Sequence, residues 1–254
     1  MNYDELITLT TDVGSLLLSN GAEIYRVEES MQRIFRAYGV HNGQIFAIPT
    51  CINVTILTPQ GKPVTVIRRI PTRCMNLDRV DQGNALCRRI CSERPDLKTV
   101  RHELRRIEFR PVYGLNFQVV MFALVAFFFT LFFGGNFTDA VCSMFGGAVI
   151  KIVSHYMNKF DANPFFVNMI SSFAAAAVVM FAAQFDLALN IDKGIIGALM
   201  NLVPGIAITS FMRDIIAGDL MAGLIRFTES MLVATAIAIG AGIALTMSRM
   251  IWGI

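Results

Sequence analysis

The chain has 254 residues, 54% of them hydrophobic and 16% charged, against about 25% charged in an ordinary soluble domain. The shortage is uneven. Residues 1–111 hold 16 of the 22 Lys and Arg and 12 of the 19 Asp and Glu, a net charge of +4, whereas the other 143 residues hold 6 basic and 7 acidic side chains. That distribution excludes a uniformly soluble globule, and a basic excess placed just ahead of an apolar half suits an anionic membrane leaflet better than nucleic acid.

The opening residues Met1-Asn2-Tyr3-Asp4-Glu5 carry no positive segment, and charges return before a long apolar run can form, so no signal peptide is expected. Residues 4–19 have helical periodicity, with Leu6, Ile7, Val13, Leu16 and Leu17 apolar, and Asn20-Gly21 ends it. Residues 22–38 predict a second helix, with Ile24, Val27, Met31, Ile34 and Phe35 on one stripe and Gly39 beyond its end. Asn20 stands where it could cap that helix, with Glu23 reaching back from three residues on as in a capping box. Such a cap leaves Tyr25, Arg26 and Glu28 without a structural explanation. The period then changes: residues 44–59 and 63–70 are rich in Ile, Val and Thr and predict strands around a Gln60-Gly61-Lys62 turn. Residues 76–94 and 97–110 return to helix, and ten basic residues lie between Arg73 and Arg110 against six acids.

The second half contains long uncharged runs at 111–138, 140–150, 162–185, 194–212 and 230–248, the second extended by apolar residues past Lys151. About 20 residues are needed to cross about 30 Å of hydrocarbon, which predicts spans near 114–134, 137–156, 164–184, 194–212 and 226–247. Lipid offers the backbone no partner, so these are helices. The expected architecture is an α-helical membrane protein with about five transmembrane helices (residues 112–254) preceded by a small cytoplasmic α+β domain (residues 1–111). Lys159, Arg213 and Arg226 flank the connections after the second and fourth spans, and the connection at 134–138 has no Lys or Arg. This places the N-terminus in the cytoplasm and the C-terminus outside.

Ionisable groups at membrane depth are costly and mark pathways or sites. Pro204-Gly205 interrupts the fourth span beside Asn201, Thr209 and Ser210. Proline removes a backbone donor and clashes one turn back, so the helix kinks or breaks there. A break exposes dipole ends and carbonyls that transporters use to hold ions and carboxylates, although a plain kink satisfied by neighbours accounts for the same residues. Arg213, Asp214, Asp219, Arg226 and Glu229 follow. On a helix, Asp219, Arg226, Glu229 and Ser230 share a face with Gly223 while Leu220, Met221, Leu224 and Ile225 lie opposite, and Arg226 and Glu229 are spaced to pair. These charges suit either a polar cavity or an interfacial loop. Lys151 lies inside its run, either snorkelling to the interface or acting as a counter-charge to an anionic substrate. Asn116, Gln118, Asn168 and Gln184 are read as helix glue.

Enzyme signatures for zinc hydrolysis, nucleophilic serine chemistry, phosphate binding and dinucleotide binding are absent, so neither an enzyme nor a cofactor is expected. The five cysteines, Cys51, Cys74, Cys87, Cys91 and Cys142, form no Cys-x-x-Cys pair. Cys87 and Cys91 share a helix face with no neighbouring His in sequence, so reduced thiols and no metal are expected.

Two segments carry a resemblance when taken together. Ser19-Asn20-Gly21-Ala22-Glu23-Ile24-Tyr25-Arg26-Val27-Glu28 resembles the start of the threonine/serine exporter family. Leu202-Val203-Pro204-Gly205, followed by Arg213-Asp214, Gly218-Asp219 and Gly223-x-x-Arg226-x-x-Glu229, resembles its membrane signature. In order and spacing the likeness covers residues 10–245. It implies a secondary exporter of small amino acids or carboxylates such as a dicarboxylate, driven by an ion gradient, multi-pass in a bacterial inner membrane and contacting lipid. Single-chain members carry about twice as many spans, so the resemblance also implies the larger subunit of a split pair that works with a second small membrane subunit; self-association into a homo-oligomer is the other way to complete it. Carried over by position, Pro204 and Gly205 make the helix break; Asn201 beside it and Lys151 in its run are substrate or ion candidates from their own placement, not from the resemblance. Asp214, Asp219 and Glu229 are candidates for the coupling ion, Arg226 for the substrate carboxylate, and Glu23, Arg26 and Glu28 for gating or docking. The competing reading is a non-transporting scaffold or regulatory subunit that acts through its cytoplasmic domain.

Overall fold

In the computed structural model, which describes residues 2–185 and 190–252, the elements are α1 (Tyr3–Ser19), α2 (Ile24–Ala37), β1 (Gln44–Ile48), β2 (Cys51–Leu57), β3 (Pro63–Arg69), α3 (Leu77–Glu93), α4 (Leu97–Glu108), α5 (Leu115–Phe132), α6 (Phe137–Lys159), α7 (Pro164–Ala183), α8 (Ile191–Leu199), α9 (Gly205–Ile216) and α10 (Leu220–Trp252). They form two compact units. One comprises the residues up to Pro111 together with Ala207–Phe227, the other Val112–Ile206 together with the residues from Thr228 onward.

The first unit is an α+β fold around a three-stranded antiparallel sheet of order β1-β2-β3. Pro49 and Thr50 turn between β1 and β2, so the predicted run 44–59 is two strands, paired from Gln44↔Thr55 to Ile48↔Cys51. Alternation along β2 sends Ile52, Val54 and Ile56 inward, as a half-buried sheet requires. They meet Leu6, Ile7 and Val13 of α1, Val27, Met31 and Phe35 of α2, and Ile90 and Val100 of α3 and α4. Ala222 of α10 joins the same core. Two caps fix the ends of this layer: Asn2 accepts from the Asp4 and Glu5 N–H groups at the start of α1, and Asn76 accepts from Arg79 N–H at the start of α3.

Asn20 does not cap α2. Gly21, with φ +98°, turns the chain sharply after α1, and α2 starts only at Ile24. Asn20 instead ends α1, donating through Nδ2 to Leu16 O at 2.7 Å and accepting from the Cys74 thiol. Glu23 is the residue that precedes α2, and it makes no side-chain cap.

The second unit is helical. Among the described residues four helices are long and apolar enough to cross a membrane: Leu115–Phe132, Phe137–Lys159, Pro164–Ala183 and Leu220–Ile251. The fourth predicted span, 194–212, is not one helix. It is α8 and α9, nine and twelve residues long, with residues 200–204 between them outside the helix. The cause is Pro204, which cannot donate to the carbonyl four residues back. The predicted last span, 226–247, starts earlier than expected because α10 runs unbroken from Leu220.

Small residues set the helix crossings. A Cβ on Gly147 would overlap the Phe122 carbonyl, one on Gly197 would overlap Thr130, and one on Gly240 would overlap the Met169 carbonyl. Close backbone approach of this kind is how helices associate without a hydrophobic driving force. Thr130 Oγ1 donates to Ala126 O and lies 2.7 Å from Ser143 Oγ, closing a buried polar contact between α5 and α6. Outward, Phe117, Phe128, Phe132 and Phe166 are exposed, an apolar surface suited to lipid.

Candidate functional site

The first unit gathers six of the sequence-predicted residues, with Arg213, into one charged cluster. Glu23, Arg26 and Glu28 come from the end of the Gly21 turn and the first turns of α2. Arg213 and Asp214 come from α9, Asp219 from the turn at Gly218, and Arg226 from α10. Gly218, with φ +97°, and Gly223, whose missing Cβ would overlap Ile215 Cγ1, let α9 and α10 fold back tightly on each other. The turn is held by Asp219 N–H donating to Asp214 O at 2.9 Å, and Phe211 and Phe227 pack edge to face behind it.

Glu23 is nearly buried and bridges two arginines. Its Oε2 lies 2.7 Å from Arg26 Nε, and its Oε1 accepts from Arg213 Nη1 at 2.5 Å. Burial alone would raise its pKa. Hydrogen bonds from Arg213 and Tyr25 and the charge of Arg26 outweigh burial and hold it below the ordinary glutamate range. Arg226 donates through Nη2 to Ala22 O at 2.8 Å and lies 3.2 Å from Asp214 Oδ2 through Nη1.

Asp214 is fully buried. Burial raises its pKa above the ordinary aspartate range, against the pull of Arg226 and of the Ile24 backbone N–H, while Asp219 and Glu23 push the same way as burial. Since Glu23 does not cap α2, the positive end of that helix faces the Asp214 carboxylate instead. Glu28 accepts from Ala47 N–H at 2.7 Å, which ties α2 to β1. Burial raises its pKa too, over the opposing effect of that hydrogen bond, and Asp219 adds to the rise.

The remaining candidates lie in the second unit. Asn201 donates through Nδ2 to Phe122 O at 3.1 Å and to Ala198 O at 3.2 Å, so its amide fastens the end of α8 to α5. Pro204 and Gly205 form the break, Lys151 Nζ lies 5.2 Å from the centre of the Phe122 ring, and Glu229 sits on α10. Gln118 and Asn168 donate to Tyr113 O and Pro164 O near their own helix starts. None of the five cysteines forms a disulfide, and burial pushes the Cys87 thiol up to about 12. Among the described residues no group of three or more His, Cys, Asp or Glu converges as for a metal.

Arg213 was named in the Arg213-Asp214 motif but had no foreseeable partner, and one structural residue escaped the sequence reading. Asp139, fully buried, accepts from Asn136 N–H at 2.8 Å in a capping box and from Asn190 N–H and Nδ2 at 3.1 and 3.0 Å, joining the starts of α6 and α8. The Asn136-x-x-Asp139 spacing was its signal.

The bridge between the Glu23 segment and the Arg213–Arg226 segment joins the two stretches on which the resemblance rested. The family model described as "Putative threonine/serine exporter" matches residues 8–248. The chain belongs to the threonine/serine exporter family. It is similar to the "Threonine/serine exporter" of Corynebacterium glutamicum, 21% identical over 97% of this chain and 52% of that protein. The "Probable threonine/serine exporter" of Mycobacterium tuberculosis is 24% identical over 95% of this chain and 46% of that protein. The chain thus spans about half the length of these two curated relatives. The "Probable succinate transporter subunit YjjP" of Escherichia coli is 24% identical over 97% of this chain and 94% of its own length. No solved structure matches the chain. As a member of the threonine/serine exporter family with several apolar helices, it is a multi-pass membrane protein.

Proposed function

We propose that this chain is one subunit of a bacterial inner-membrane secondary exporter of small carboxylates, with a dicarboxylate such as succinate as first candidate and threonine or serine as second. The domain of residues 1–111 and the cluster it shares with α9 and α10 face the cytoplasm. The observation that carries this reading is the buried Asp214–Arg226 pair at the head of an interleaved acid–arginine cluster.

The cluster has the parts that proton-coupled export of an anion needs. A guanidinium offers paired donors to a carboxylate, and Arg226 is engaged by Asp214, so substrate and Asp214 compete for one cation. A proton on Asp214, which burial favours, weakens that pair and frees the guanidinium for substrate. Loss of the proton restores the pair and expels the anion. Glu23, clamped between Arg26 and Arg213, holds the segment before α2 against α9 as a gate. Asp219 supplies a further carboxylate to this cluster; in the second unit Glu229 is a further candidate for the coupling ion, and Asn201, Pro204, Gly205 and Lys151 for substrate or ion contacts. A dicarboxylate and a second small membrane subunit are favoured because the matched relative named a succinate transporter subunit is covered over nearly its full length.

The test is uptake into inside-out vesicles under a pH gradient, with succinate, threonine and serine, from this chain alone and together with a small membrane protein of the same family. Gradient-driven uptake of one of these solutes, lost in Asp214→Asn and Arg226→Ala, is the expected result. Uptake that both variants retain at the parental rate rejects the site, and no uptake by folded protein under either condition rejects the exporter reading.

A further inference from the structure

The first unit contains a polar cavity apart from the Glu23–Arg226 cluster. Its volume is about 390 Å³, within the range of small-molecule sites. Four elements contribute arginines or acids to its wall: Asp12 from α1, Arg68 from β3, Arg79 from α3, and Arg101, Arg105 and Glu108 from α4. Four guanidinium groups against two carboxylates leave a net lining charge of +2.

The internal pairing is incomplete. Arg68 pairs with Asp12, Arg101 approaches Glu5 to 3.9 Å, and Arg79 Nη2 donates to Arg110 O at 3.3 Å. Yet the Nε atoms of Arg68, Arg79 and Arg101 are all buried without a hydrogen-bond partner. One orphaned donor is common enough; three on three different elements around one cavity are a pattern. A buried donor, above all a charged one, is costly to leave unmet, so each such group calls for an acceptor. Asp12 is one carboxylate already engaged by Arg68, so it cannot serve the whole group.

We infer that this arginine-lined cavity binds a small dianionic oxyanion, a dicarboxylate or a phosphate. Guanidinium forks match both, and two negative charges balance the lining. The inference stands on the cavity alone and does not depend on the export reading. A ligand there would join α1, β3, α3 and α4, so its binding would stiffen the unit that also carries the Glu23 cluster, a ready route for sensing an internal metabolite.

Isothermal titration of the full-length protein in detergent micelles with succinate, inorganic phosphate and serine tests it. A saturable site for succinate or phosphate that persists in Arg226→Ala, where the proposed transport site is lost, is expected, and the tighter of the two identifies the class. Serine, without net charge, is expected not to bind. Arg79→Gln and the exposed Arg105→Gln should each weaken binding about tenfold. Arg88→Gln, exposed and outside the cavity, should leave it unchanged. Arg105→Gln keeps the test decisive if Arg79→Gln fails to fold. Absence of binding by either dianion, or parental affinity in Arg105→Gln, overturns the inference. Asp214→Asn should abolish transport and leave this binding intact, so the two proposals fail separately.

Discussion

A carboxylate with no exposed surface and a guanidinium beside it is a demanding arrangement. Taking both ions from water costs several kcal/mol each, and their attraction repays it only while both are present. Arg226→Ala therefore strands Asp214 and is expected to cost about 3–5 kcal/mol. Replacing both residues by apolar ones of similar size, as in Asp214→Leu with Arg226→Met, should cost far less. Denaturant melts of the four proteins in a double-mutant cycle check this, and additive losses would mean the pair is not coupled. The acids of the cluster also titrate with opposite signs. Glu28 has a raised pKa, so its contribution to stability is full below the ordinary value of 4.5 and is lost as pH rises through its folded value. Glu23 has a lowered pKa, so its contribution is present above 4.5 and is lost as pH falls through its folded value. Glu28→Gln should accordingly flatten the stability profile on the side above pH 4.5, and Glu23→Gln on the side below it. Melting temperatures across pH 3 to 8 separate the two, and identical profiles would refute the assignment.

At the scale of elements, the α9–α10 turn is a tight joint in the first unit. Gly223 faces Ile215 Cγ1, with the Phe211 carbonyl 3.1 Å from where a Cβ would stand. Gly223→Ala gains helix propensity but pushes the two helices apart, for a net loss of about 1–3 kcal/mol. Gly242, in the same helix α10, has no atom within 4 Å of an added Cβ, and Gly242→Ala should stabilise by up to about 1 kcal/mol. Thermal melts of the two variants should shift in opposite directions. The secondary structure itself was legible because it rests on period and punctuation. Ile, Val and Thr runs gave the strands, Asn-Gly and Gly39 gave the helix ends, and Pro204 gave the break. The Pro49-Thr50 turn was missed because Pro and Thr sit inside a run of strand formers. The Asn20 cap was misread because capping spacing says nothing of how sharply Gly21 turns the chain.

Over the whole molecule, what sequence could not supply was long-range pairing. Glu23 and Arg213 lie 190 positions apart, and no periodicity or motif spacing connects them. Each looked plausible alone, as a helix cap and as a loop charge, and only the fold shows that they meet. The same holds for the arginine cavity, whose lining is drawn from α1, β3, α3 and α4 and reads in sequence as ordinary surface charge. The apolar half was legible in bulk, since uncharged runs of 20 residues admit few readings. Its count was not, because hydropathy registers a broken span and a whole one alike.

The break at 200–204 also bears on how the chain is made. At 1.5 Å per residue, the nine residues of α8 reach roughly 14 Å and the twelve of α9 roughly 18 Å, each well short of about 30 Å of hydrocarbon. Neither piece can partition into the bilayer by its own hydrophobicity as it leaves the ribosome. Each must wait for company: α8 for the grooves of α5, α6 and α7 that synthesis has already delivered, and α9 for α10, which comes last. The placement of these two pieces therefore depends on packing more than on hydropathy.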